Sequence, residues 1–302
     1  MHIPVLLKEV VEIFNPQKGQ TYIDGTLGEG GHTKAILEKI TPGGTLLGVD
    51  LDENALRRAR ERLNHYAKNT RLILIKGNYG NLRKLTADNK VEKVNGILLD
   101  LGFGSHTLEN SGRGFSFLKD EPLDMRYGEE RNLTAEELVN ESPPEELRRI
   151  IKEYGEERWA RRIAAGIVRE RERGRISGSK RLAEIIQNSL PAKFARGRLH
   201  PATRTFQALR IVVNDELDNL RKALTEADEI LAAGGRIIVI SFHSLEDRIV
   251  KNFFREKNKI GCWRTLTKKP LRPTQEEIIN NPRARSALLR ATKKNDSHNA
   301  SQ

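Results

Sequence analysis

The chain has 302 residues, 37% hydrophobic and 31% charged, with a formal net charge of +12. That length allows one large domain or two ordinary ones, and no apolar run approaches the roughly 18–20 residues that span a bilayer. The single cysteine, Cys262, excludes an intrachain disulfide and a CxxC metal site. The start, Met1-His2-Ile3-Pro4, lacks the basic stretch of a secretory signal. These features predict a cytoplasmic protein without membrane contact. So large a basic excess attracts polyanions, nucleic acid first. A lysine- and arginine-rich surface that serves only solubility is the plainer alternative.

In chain order, Thr21–Asp24 reads as a strand, followed by a glycine-rich turn and a helix through Lys34–Lys39. Thr45–Asp50 is a second strand and Glu53–Tyr66 a helix; Arg71–Ile75 and Asn95–Asp100 are further strands. Strands alternating with helices predict βαβ units around a parallel sheet. From about Gly102 to Gly128 no period is sustained, and from Thr134 to Leu190 only helical spacing appears. Phe206 to Leu224 keeps three- and four-residue steps, predicting one long amphipathic helix closed by Gly234-Gly235. Arg236–Ser241 is the next strand, and Ser286–Arg290 a last edge strand; residues after Lys293 read as disordered. The fold class is therefore α/β, a doubly wound Rossmann-like sheet with an inserted all-helical subdomain. Residues 1–102 and 206–302 form the discontinuous sheet domain, and 103–205 form the inserted loop and helices.

Asp24-Gly25-Thr26-Leu27-Gly28-Glu29-Gly30-Gly31-His32 lies between a strand and a helix. Its spacing is not the G-x-G-x-x-G of dinucleotide binders but the D-x-T-x-G-x-G of S-adenosylmethionine sites, where glycines let the backbone approach a ligand. Asp50 ends the second strand, where doubly wound folds place a carboxylate for ribose hydroxyls; a helix N-cap is the alternative. Tyr79 packs against the adenine or into the core. Asp100-Leu101-Gly102-Phe103 ends the fourth strand and has the Asp-x-x-aromatic shape of amino-methylating enzymes. A carboxylate there accepts the hydrogens of an exocyclic amine and favours a pyramidal nitrogen aimed at the methyl donor; a turn cap is the bland reading.

Ser241-Phe242-His243-Ser244-Leu245-Glu246-Asp247 invites a hydrolase reading, but neighbouring positions on one turn cannot make a relay. Ser244-x-x-Asp247 reads as a capping box, with His243 placed to touch substrate. Arg113-Gly114-Phe115-Ser116-Phe117 resembles part of an RNA-recognition element, without its flanking strand.

Several of these segments together resemble one bacterial family. His2-x-Pro4-Val5-Leu6-Leu7, the Asp24–His32 loop, Arg113–Phe117, Pro122–Arg126 and Tyr154–Arg158 carry the likeness, with His200–Arg210, Ser241–Lys251 and Asn281–Ser286. It is the MraW, or RsmH, methyltransferase family, and the resemblance runs from His2 to about Arg290. It implies methyl transfer from S-adenosyl-L-methionine to N4 of a cytidine in 16S (small-subunit) ribosomal RNA near the decoding centre. The partner is then the 16S rRNA or the small ribosomal subunit.

The resemblance implies that Gly30, Gly31, His32, Asp50, Tyr79 and Asp100 line the cofactor site, with Asp100 also catalytic. Thr107 stands where the family usually has a glutamine, with Ser105 or His106 as alternative contacts. Arg113, Phe115, Arg204, Arg210 and His243 are the candidates to touch RNA. Two other classes compete: an NAD-dependent oxidoreductase on the same fold, and a non-catalytic RNA-binding protein.

Overall fold

The computed structural model describes residues 4–102, 111–128, 132–191 and 200–296. The chain separates into two compact units, Met1–Gly102 with Leu217–Gln302, and Phe103–Glu216.

The first unit is built on a seven-stranded sheet of order β3-β2-β1-β4-β5-β7-β6. The strands are β1 Thr21–Asp24, β2 Thr45–Asp50, β3 Arg71–Lys76, β4 Val94–Asp100, β5 Leu231–Ser241, β6 Trp263–Thr265 and β7 Leu288–Lys294. The first five pair in parallel, and β7 runs antiparallel to both β5 and β6. Alternate strand residues feed two cores. Tyr22, Leu46, Leu98, Ile238 and Ile240 join helices Leu7–Phe14, Gly31–Ile40 and Glu53–Leu63 on one face. Ile23, Leu47, Ile97, Leu99, Ile237 and Val239 join helices Leu82–Asp88, Glu216–Ile230 and Ser244–Lys259 on the other. Burial on both faces is why these strands read as continuous apolar runs, not alternating ones.

The structure corrects four expectations. Strand Leu288–Lys294 is internal, and the edge is the three-residue Trp263–Thr265, too short for a pattern. The expected single helix from Phe206 is two helices, Thr203–Val213 and Glu216–Ile230, broken where Asp215 takes φ 46°. The boundary between units accordingly falls after Glu216, not at 205/206. Gly234-Gly235 does not close a helix; it lies within β5, which starts at Leu231 and shifts register against β4 between Val94 and Gly96.

The N-terminal helix Leu7–Phe14 carries no polar N-cap, since Leu6 occupies that position with φ 54°. Its other end is satisfied from β5: Arg236 Nη1 donates to the carbonyls of Ile13 and Phe14. A guanidinium there pairs with the last carbonyls and the negative end of the helix dipole.

In the second unit, helices Ala135–Glu141, Pro144–Glu153, Ala160–Arg171, Ser179–Asn188 and Thr203–Val213 share a core around Leu147, Ile150, Ile163, Ile167, Leu182 and Leu209. Thr134 opens the first with a reciprocal box, its hydroxyl taking the Glu137 N–H while Glu137 accepts from the Thr134 N–H.

Candidate active site at the sheet switch point

Three aspartates end three neighbouring strands: Asp24 on β1, Asp50 on β2 and Asp100 on β4. The chain winds outward from β1 to β3 and then returns on the other side of β1 as β4. In open α/β sheets ligands bind outside the strand ends at such a reversal.

Asp24 is buried, with Oδ2 accepting from the Thr33 hydroxyl at 2.7 Å and Oδ1 from the Thr26 N–H at 3.2 Å. Burial pushes its pKa up. Its bonds fold the loop; the sequence reading gave it no separate role, although the D-x-T pattern carried the signal. Thr26 in turn accepts the Asp100 N–H at 2.7 Å. Asp100 Oδ1 accepts from the Gly102 N–H at 3.1 Å, and its Oδ2 lies 3.7 Å from His32 Nδ1. The His32 Nε2 is 2.9 Å from the Val5 carbonyl, which can only accept, so that nitrogen carries the hydrogen.

Asp50 accepts two backbone N–H bonds, from Gly28 at 2.7 Å to Oδ2 and from Asp52 at 2.9 Å to Oδ1. Burial raises its pKa to about 6, against the lowering effect of those bonds. The N-cap of the following helix is Asp52, whose side chain accepts from Asn54, so Asp50 is released from that alternative role.

The glycines divide into two kinds. A Cβ on Gly30 would come 2.8 Å from Leu63 Cδ1, and one on Gly31 2.4 Å from the Pro4 ring. Gly31 is therefore required by packing within the unit, and Gly30 by its φ of 73°. Gly28, at φ 52°, has nothing within 4 Å of its Cβ position and presents the open face of the loop. Tyr79, half-buried at the start of a 3-10 turn, lies against Gly25 of the same loop and packs partly on the core. Thr107, Ser105, His106 and Phe103 lie outside the described residues.

The expected RNA residues separate. Arg113 Nη1 donates to the carbonyls of Arg126 and Tyr127, and Phe115 stacks on Tyr127 with centroids 5.6 Å apart. Tyr127 Oη donates to Glu216, which also takes both nitrogens of a bidentate Arg210 at 2.7 and 2.9 Å. Arg113, Phe115 and Arg210 thus belong to one network that shapes the segment before residue 128. Arg204 is half-exposed, with Nη1 3.7 Å from Glu157 Oε2. His243, in the first unit, is itself the N-cap of helix Ser244–Lys259 in a reciprocal box with Glu246. This replaces the expected Ser244/Asp247 box; Asp247 instead holds Arg290 of β7 in a bidentate pair.

No lysine or arginine lies within ion-pair distance of Asp24 or Asp50 among the described residues. A pyrophosphate would meet like charge here. Acceptors at the switch point suit a ligand that brings hydroxyls and a positive charge, which is the make-up of a sulfonium nucleoside. The class so defined is the S-adenosylmethionine-dependent methyltransferases with a Rossmann-like fold. The family model described as the MraW methylase family matches residues 1–295, and the chain belongs to that family.

Relatives named ribosomal RNA small subunit methyltransferase H include one from Geobacter sulfurreducens, 48% identical over 97% of this chain and 98% of its own. Another, from Thermotoga neapolitana, is 48% identical over 96% of this chain and 95% of its own. Among solved structures, a Streptococcus mutans methyltransferase in complex with SAH aligns over 97% of this chain and 99% of its own, at 13% identity and a TM-score of 0.47.

Proposed function

We propose that the chain transfers the methyl group of S-adenosyl-L-methionine to N4 of a cytidine in 16S rRNA, near the decoding centre, with free rRNA or the small subunit as partner. The observation that carries this reading is Asp100 at the switch point, fixed at its backbone by Thr26 and at Oδ1 by Gly102. Cytosine's exocyclic nitrogen has its lone pair delocalised into the ring and attacks poorly. A held carboxylate that accepts its N–H hydrogens turns that lone pair toward the donor methyl, and positioning supplies much of the remaining acceleration.

Asp50, Tyr79, His32 and the open face of Gly28 are the proposed cofactor cradle, with Gly30 and Gly31 shaping the loop. Thr107 is proposed as a further cofactor contact. His243 and Arg204 are kept as proposed RNA contacts, while Arg113, Phe115 and Arg210 act through the segment they brace. The name of the relatives supports ribosomal RNA as substrate, and a cytoplasmic location is part of the same proposal. No helix among the described residues is long and apolar enough to cross a membrane.

The arginines of the second unit support the RNA reading. Arg161 and Arg162 make no ion pair among the described residues, and Arg148, Arg161 and Arg169 line one groove of about 340 Å3. Mapping modified nucleotides in small-subunit RNA from cells with and without this chain tests the proposal. One N4-methylated cytidine should disappear without it; an unchanged map refutes the reaction.

A further inference from the structure

Most arginines of the second unit are matched to acceptors. Arg148 pairs with Glu145, Arg149 with Glu146 and Glu153, Arg173 with Glu170, and Arg175 with Glu136 and Glu141. Arg171 is bonded to the carbonyls of Val139 and Ser142. The surface around Trp159 adds an aromatic ring to the arginines. The Arg158 guanidinium lies 5.3 Å from the indole centroid and that of Arg162 5.7 Å, and both side chains are exposed.

Trp159 is half-buried: it packs on the helical core with its indole Nε1 buried. Its place is fixed from below. Glu157, only 7% exposed, accepts the Trp159 backbone N–H at 2.9 Å, and Trp159 is the N-cap residue of helix Ala160–Arg171. Glu157 also lies 3.7 Å from Arg204. An indole with two guanidinium planes over its ring, on a face that also carries Arg161, is complementary to single-stranded nucleic acid. Bases stack on indole and guanidinium planes alike, while the cations meet the flanking phosphates.

We infer that Arg158, Trp159 and Arg162 form a stacking site for an unpaired RNA base, with Arg161 and Arg204 beside it for the adjoining phosphates. This rests on the RNA reading above and adds to it a contact that is aromatic, not ionic. Phosphate contacts release counterions and set the salt dependence of binding, whereas stacking adds affinity without changing that dependence.

Binding of a small-subunit rRNA transcript to the full chain, followed across a salt series, separates the two. Trp159→Leu keeps an apolar group on the core but removes the π-face; it should weaken binding about tenfold at every salt concentration with the parent's slope. Trp159→Phe should stay within about threefold of the parent. The indole also reports on itself. Trp263 is buried with Nε1 donating to Asp228, so quenching of emission on adding RNA should be present in the parent and lost in Trp159→Phe.

Parental affinity in Trp159→Leu, or no quenching at saturating RNA, overturns the stacking site. Should Trp159→Leu fail to fold, the quenching measurement on the unaltered chain still decides. The RNA reading has its own control in Arg161→Ala with Arg162→Ala and Arg169→Ala. If that variant loses salt slope while Trp159→Leu binds as the parent does, the face grips phosphates and only the stacking inference falls. If neither variant changes anything, this face does not bind RNA.

Discussion

Asp50 sits in a pocket that disfavours its charge, and the proposed ligand requires that charge. Its folded pKa, about 6, lies above its ordinary value near 3.8, so between those values the folded chain holds a proton that the unfolded chain has lost. Stability from this group therefore declines as pH rises from about 4 to about 6 and is level above. Asp50→Asn should melt at a higher temperature than the parent at pH 7, with the gap closing toward pH 4. A gap independent of pH would assign the effect to something other than this carboxyl.

Affinity has the opposite sign, because hydroxyls donate to the ionised form. Binding of S-adenosylhomocysteine should weaken about tenfold per pH unit below about 6. Asp50→Ala should cost about 1.5–3 kcal/mol at neutral pH. Calorimetry measures both, and unchanged affinity removes Asp50 from the cradle. Asp100→Ala should lower turnover by a larger factor than it lowers cofactor affinity. Equal losses at saturating RNA would leave Asp100 as a cofactor ligand alone.

Helix ends mark where local sequence speaks clearly and where it does not. The box at Thr134 and Glu137 is a conventional polar signature. That at His243 and Glu246 uses an imidazole, which is why Ser244 and Asp247 looked like the better pair. The helix behind Leu6 has no polar cap and could not be read at all. Two-sided burial made β1 to β5 legible, yet the apolar period ran through Asn214-Asp215 unbroken and hid a change of helix.

At the candidate site, the strand-end positions of Asp50 and Asp100 were legible because the apolar runs fix where each strand stops. The roles of Gly31 and Arg210 were not, since Pro4 and Glu216 are contacts that spacing cannot show. The His243 cap has a direct check. His243→Ala should cost about 1 kcal/mol in denaturant melts, and His243→Asn, which can accept the same N–H, should recover most of it. A loss that persists in the asparagine variant would mean the ring is needed for something other than the cap.

Across the whole molecule, the basic excess predicted from composition resolves into arginines that brace the fold and arginines left facing outward. The first kind, such as Arg210 and Arg236, would be lost to stability; the second, such as Arg161 and Arg162, should be lost to binding. Replacing Arg161, Arg162 and Arg169 by alanine should flatten the dependence of RNA affinity on salt by about 0.7 in log–log slope for each phosphate contact removed. S-adenosylhomocysteine affinity should not move, since the carboxylates that would hold it belong to the other unit. A change in cofactor affinity without a change in slope would reverse that division of labour.

Pro4 to Leu6 tie the glycine loop to Glu277. Pro4 covers Gly31, the Val5 carbonyl takes His32, and the Leu6 N–H is held at 2.7 Å by Glu277. Strand Leu288–Lys294 then fills the sheet between β5 and the edge. During synthesis, at ~5–20 residues per second, the Phe103–Glu216 unit is complete while its host still lacks three strands. The loop that would receive the methyl donor is finished only once Glu277 has left the exit tunnel. A nascent chain stalled before Glu277 would carry a folded helical unit and an unbraced glycine loop.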